Sequence, residues 1–123
     1  MSEQKKILVV ENDDFYVEIL GTFAKLFLHA STIFVKTSTE ALNHCKQEKP
    51  DVIILNLDLP GKEAFEFMEK LRDDSDLKPI GVVGLSSDCA EETALGAGCD
   101  SYLKKPFKVR ELQAHIERLF AAA

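Results

Sequence analysis

Asp51-Val52-Ile53-Ile54-Leu55, running into Asn56-Leu57-Asp58-Leu59-Pro60-Gly61, sets consecutive apolar, largely β-branched side chains directly before a polar segment that closes on Pro-Gly. A strand with one wet face alternates apolar and polar residues. A strand that is apolar at every position has both faces covered, as parallel strands do when helices lie on either side. Working outward, Lys6-Ile7-Leu8-Val9-Val10 and Ile80-Gly81-Val82-Val83-Gly84-Leu85 share this character, and Thr32-Ile33-Phe34-Val35 and Ser101-Tyr102-Leu103 are further short strand-like runs. Between them, Tyr16, Leu20, Phe23 and Phe27 recur at helical spacing, as do Ala64, Met68 and Leu71, and later Val109, Leu112, Ile116 and Leu119. Thr37 with Glu40 three residues on is a capping-box signature, opening a helix whose inner face is Ala41, Leu42 and Cys45. A brief helix is expected around Cys89 to Leu95. The pattern is (βα)5: a doubly wound α/β fold with a five-stranded parallel sheet, in one domain over residues 1–123.

Composition narrows the function classes. A 46% hydrophobic share in 123 residues is enough to close one core. The apolar runs are too short for a membrane span or a secretory leader, so a soluble, cytoplasmic protein is expected. Cys45, Cys89 and Cys99 are odd in number and lack zinc-ligand spacing, which favours reduced thiols over disulfides or a structural metal. The net charge is −6 with Lys and Arg scattered, so direct nucleic-acid binding is not expected. His29, His44 and His115 have no nucleophilic or acidic neighbours arranged about them and read as surface residues.

In open parallel sheets the ligand site lies beyond the carboxyl ends of the strands, where strand order reverses. The residues there are polar: Glu11, Asn12, Asp13 and Asp14 after the first strand; Asn56 and Asp58 after the third; Ser86, Ser87 and Asp88 after the fourth; Lys104, Lys105 and Pro106 after the fifth. No glycine-rich phosphate loop follows the first strand, and its carboxylates would repel a nucleotide phosphate. Gly81-Val82-Val83-Gly84 and Gly96-Ala97-Gly98 read as packing and turn glycines.

Several short motifs in order resemble the receiver domain of two-component response regulators, of the CheY-like, flavodoxin-like type. They are Ile7-Leu8-Val9-Val10-Glu11-Asn12, Asn56-Leu57-Asp58-Leu59-Pro60-Gly61, a hydroxyl residue ending the fourth strand, Ala94-Leu95-Gly96-Ala97-Gly98, and Tyr102-Leu103-Lys104-Lys105-Pro106-Phe107. The resemblance covers almost the whole chain. It implies a switch in which an aspartate accepts a phosphoryl group from a kinase histidine, carboxylates hold magnesium, and a lysine and a hydroxyl complete the pocket. Ser86 fits the hydroxyl position, with Gly84 as the competing assignment if residues are counted from Pro79. Tyr102 falls on the aromatic position that moves between exposed and buried rotamers in receivers, or else packs at the sheet edge.

The chain departs from that pattern where the chemistry is least forgiving. Asn56 stands at the phosphoacceptor position and Asn12 at the second metal-binding acid. A carboxylate attacks phosphorus with a charged oxygen, whereas an amide oxygen shares its electrons with nitrogen. Glu11 remains as the sole expected acidic ligand, so magnesium binding is expected to be weak or absent and no other cofactor is implied. The amides also remove repulsion between like charges beside Lys105, leaving Glu11 and Lys105 free to pair. The expected function is a pseudo-receiver, not an enzyme, acting by phosphorylation-independent contact with a protein partner such as a signalling protein or histidine kinase. A homodimer is a further possibility, and the alternative is a phosphoryl-accepting switch or a silenced form of one. With the chain ending at Ala121-Ala122-Ala123, no output domain is expected after Phe120. The fifth strand and last helix, with Arg110 and Arg118 on its exterior, are the expected contact face.

Overall fold

A computed structural model describes residues 4–122 of the protein. Strands β1 (Lys6–Val10), β2 (Ser31–Val35), β3 (Val52–Asn56), β4 (Gly81–Ser86) and β5 (Ser101–Lys104) alternate with helices α1 (Asp14–Phe23), α2 (Ser38–Glu48), α3 (Glu63–Asp73), α4 (Glu91–Gly96) and α5 (Val109–Ala122). Every neighbouring pair of strands is parallel, in the order β2-β1-β3-β4-β5. The expected (βα)5 sheet is therefore observed, with its order reversing between β1 and β3. Ala123 lies outside the described residues.

The alternation of side chains along the central strands divides the core in two. Ile7, Val9, Val52, Ile54, Val83 and Leu85 join Leu20 and Phe23 of α1 and Leu112 and Ile116 of α5. Leu8, Val10, Ile53, Leu55 and Val82 join Ala41 and Cys45 of α2, and Ala64, Phe67, Met68 and Leu71 of α3, on the other face. Each large side chain so buried contributes roughly 1.5–3 kcal/mol, which is why consecutive apolar residues are tolerated only in these covered strands. Cys45 and Cys99 are buried and unpaired, and burial pushes both thiols up to about 12.

Two local features set the frame for the site. Asp13 caps α1, its carboxylate accepting the Phe15 N–H at 2.9 Å, and Asp14 adds negative charge to the first turn. Thr37 caps α2 by accepting the Glu40 N–H at 3.2 Å. At the other end of α1 the chain continues as a π-helical turn, Ala24–Leu28, and here the helical stripe expected from sequence fails. The wider turn shifts the 3.6-residue register, so Phe27 is 52% exposed and stacks on Phe23, with ring centroids 6.1 Å apart. Phe15, Ile19, Phe23, Phe27 and Val109 consequently line an open groove of about 420 Å³.

Arg72, half-buried on α3, ties the far ends of β4 and β5 together. Its guanidinium donates to the carbonyls of Lys78 and Ile80, each at 2.7 Å, and to that of Gly98 at 2.8 and 3.0 Å. It also pairs with Asp100 at 2.9 Å, and the Asp100 carboxylate in turn accepts the Val82 N–H at 2.7 Å. The rigid five-donor fork is suited to this task in a way an ammonium is not.

Candidate functional site

The carboxyl ends of β1, β3, β4 and β5 gather the polar residues singled out in the sequence. Glu11 directly follows β1 and is 1% exposed; Asn56 ends β3 at 3% and Lys105 follows β5 at 7%. The Lys105 ammonium donates to Glu11 Oε2 at 3.1 Å. Glu11 Oε1 accepts the Asn56 side-chain amide at 2.8 Å and the Asp13 backbone N–H at 3.1 Å. Asn56 Nδ2 donates again, to Asn12 Oδ1 at 3.1 Å, and Asn56 Oδ1 accepts the Asp58 N–H at 2.9 Å. Both ends of the Asn56 amide are thus engaged, and one buried carboxylate is matched by one buried ammonium. Asn12 itself is exposed.

Lys105 also lies 4.1 Å from the centre of the Tyr16 ring, a cation over an aromatic face. Burial, then the nearby charges of Asp13 and Glu11, holds the Tyr16 phenol above its ordinary value, so the ring remains neutral beneath the ammonium. Phe107 leans on Tyr16 with centroids 5.9 Å apart and walls the pocket on that side.

Ser86 closes β4 and is wholly buried, whereas Gly84 lies inside the strand opposite Leu55 and Tyr102. A side chain at Gly84 would begin 2.9 Å from Leu57 Cδ1 and 3.0 Å from Cys99 Sγ, which explains the glycine. Ser86 Oγ donates to Asp58 Oδ1 at 2.5 Å, and the Ser87 N–H donates to Asp58 Oδ2 at 2.7 Å. Asp58, one of the polar residues following the third strand, is exposed yet bonded through both oxygens. Tyr102 is half-buried on the α4 side of the sheet and donates its hydroxyl to the Cys89 carbonyl. Burial raises its phenol, with the neighbouring Cys89 thiol and Asp58 carboxylate adding to the effect.

Other expected positions lie away from this pocket. Arg110 and Arg118 are exposed on α5, whose inner face is Leu112 and Ile116 with Val109 and Leu119 at its margins. His29 is exposed as expected, but His44 and His115 are half-buried with Nδ1 unpartnered, and burial lowers the His115 pKa. The fourth helix has 6 residues, as short as the sequence suggested.

A doubly wound 2-1-3-4-5 sheet with a carboxylate, a lysine and a hydroxyl at its carboxyl edge defines a class of signalling domain. The chain belongs to the response regulator receiver domain family, matching it over residues 7–117. It is similar to the transcriptional regulatory protein KdpE of Staphylococcus aureus, 34% identical over 116 residues that are 92% of this chain and 48% of that protein. The KDP operon transcriptional regulatory protein KdpE of Escherichia coli K12 is 34% identical over 113 residues, 89% of this chain and 48% of that protein. Among solved structures, the signal receiver domain of a signal transduction histidine kinase from Syntrophus aciditrophicus superimposes with a TM-score of 0.87 at 25% identity, covering 97% of this chain and 92% of that one. The chain spans about half the length of the curated relatives it matches. Receiver domains serve two-component signalling, and among the described residues no helix is long and apolar enough to cross a membrane.

Proposed function

We propose that this domain is a pseudo-receiver: a signalling module that works by protein contact and not by accepting a phosphoryl group. The observation that carries the reading is the state of Asn56. Its nitrogen donates to Glu11 and Asn12 while its oxygen accepts from Asp58, so the residue at the acceptor position is a structural cross-link with no anionic oxygen. The donor set does not fit magnesium, which favours several hard anionic oxygens. Glu11 is the single buried carboxylate here, and its charge is already matched by Lys105 at 3.1 Å. On this reading the domain is not an enzyme and binds magnesium weakly or not at all. Incubation with acetyl phosphate and magnesium, followed by intact mass, should leave the mass unchanged. An added phosphoryl group on any pocket residue would falsify the proposal.

The partner surface on this reading is the face formed by β5 and α5. Lys104, Lys108, Arg110, Glu111, Glu117 and Arg118 are exposed there over the buried Leu112 and Ile116. Reversing charge at Arg110 and Arg118 together should leave the circular dichroism spectrum intact and weaken capture of the partner at least several-fold, since rim charges mainly govern encounter and register. Undiminished capture by the reversed variant, with loss on changing α2 instead, would move the surface to the other side of the molecule.

A further inference from the structure

The loops after β3 and β4 are joined by a continuous run of hydrogen bonds that begins at Asp58. Its two carboxylate oxygens accept the Ser86 hydroxyl at 2.5 Å and the Ser87 N–H at 2.7 Å. Ser86 Oγ in turn accepts the N–H groups of Asp88 at 3.0 Å and Cys89 at 2.6 Å. The Cys89 carbonyl then accepts the Tyr102 hydroxyl. A serine hydroxyl has one proton and two lone pairs, so a strong anionic acceptor for the proton also decides where the lone pairs face. Here they face the two amides that begin the β4–α4 loop. The position of the Cys89 carbonyl, and with it the tyrosine on the edge strand, therefore depends on a carboxylate in a different loop.

We propose that Asp58 is a built-in anion that clasps the β4–α4 loop and holds Tyr102 inward, so that the β5 side of the domain is set in one conformation without any added group. The two donors that converge on Asp58 are already occupied, which makes them poor receptors for an anion arriving from solution. Asp58 itself is exposed, and the strand ends it bridges are held independently by the sheet, so the clasp can be removed without dismantling the core. The inference deepens the pseudo-receiver reading but relies on it only for the meaning of the Tyr102 position to a partner.

The two tyrosines, Tyr16 and Tyr102, make the test direct. The full chain is labelled with meta-fluorotyrosine, and fluorine NMR is recorded together with amide exchange for the parent, Asp58→Ala and Asp58→Asn. In Asp58→Ala the Tyr102 resonance should shift or split towards a solvent-exposed environment while the Tyr16 resonance stays in place. Protection of the Cys89 amide should fall roughly tenfold, as loss of one charge-assisted hydrogen bond implies. Asp58→Asn keeps the shape and one acceptor oxygen and should give the same changes at smaller amplitude, serving as the readout if the alanine variant is poorly folded. An unchanged Tyr102 resonance with unchanged Cys89 protection in the folded variants overturns the clasp. A phosphoryl adduct in the mass experiment would sink the pseudo-receiver reading and leave this result standing, so the two failures are distinguishable.

Discussion

Replacing Lys105 by methionine is expected to destabilise the domain by about 3–5 kcal/mol, the range for removing one partner of a buried ion pair. The pair is almost entirely withdrawn from water, with side-chain exposures of 5% for Lys105 and 1% for Glu11. Methionine fills most of the stem's volume, so the loss is electrostatic and not a cavity effect. It leaves the Glu11 carboxylate with only the Asn56 amide and the Asp13 N–H as donors, and it removes the cation over the Tyr16 ring. Urea unfolding should show a lower midpoint at unchanged slope. Adding Glu11→Gln to the methionine variant should recover much of the loss, because a neutral amide no longer needs the ammonium. A loss below about 1 kcal/mol for Lys105→Met would mean that water reaches the pair and that it behaves as a surface contact.

The double change Asn12→Asp with Asn56→Asp should create a magnesium site and make the metal-free domain weaker by about 2–4 kcal/mol at neutral pH. The 2.8 Å contact from Asn56 to Glu11 would become two facing carboxylate oxygens, and the 3.1 Å contact to position 12 would become another. One ammonium cannot neutralise all three. Crowded carboxylates retain a proton to higher pH in the folded state than in the unfolded one. The contribution of the introduced carboxyls to the stability of the metal-free variant is therefore fullest below the unfolded carboxyl value, about 4, and falls as pH rises through the raised folded value. Magnesium reverses the penalty by supplying charge, so the melting temperature should rise saturably with magnesium in the variant and hardly move in the parent. A variant that binds no magnesium would show that these three positions do not converge on one point as the side-chain contacts imply.

The order of elements was legible because the decisive strands are apolar at every position, and that signal survives without knowledge of the neighbours. Lys6–Val10 is observed with the bounds read from sequence, and Asn56 joins β3 as its last residue. The pairing of Glu11 with Lys105 was legible too, since one buried acid and one buried base at a common sheet edge have few other solutions. Phe27 was misread because a π turn breaks the spacing on which helical stripes are recognised, and its residues carry no distinctive composition. The bonds of Asp58 were hidden for a different reason. Its partners, Ser86 and Ser87, lie 28 and 29 residues away and become neighbours only through the β3–β4 pairing. Ser86 could not be separated from Gly84 by counting. Nor does counting show the lack of room above Gly84, which packing sets between Leu57 and Cys99.

The grip of Arg72 on backbone carbonyls bears on how this sequence can drift. A carbonyl is supplied by any residue, so the exposed side chain at Lys78 can be exchanged without loosening the clamp, provided the loop keeps its path, whereas Ile80 is held by its place in the core. Gly98 has less liberty, because its φ of +108° suits glycine and a Cβ there would begin 3.1 Å from the Arg72 side chain itself. Asp100 is constrained through its carboxylate, which the arginine and the Val82 N–H share. Drift in this corner should therefore leave Arg72, Gly98 and Asp100 changing together or not at all, while the exposed Lys78 is free to vary.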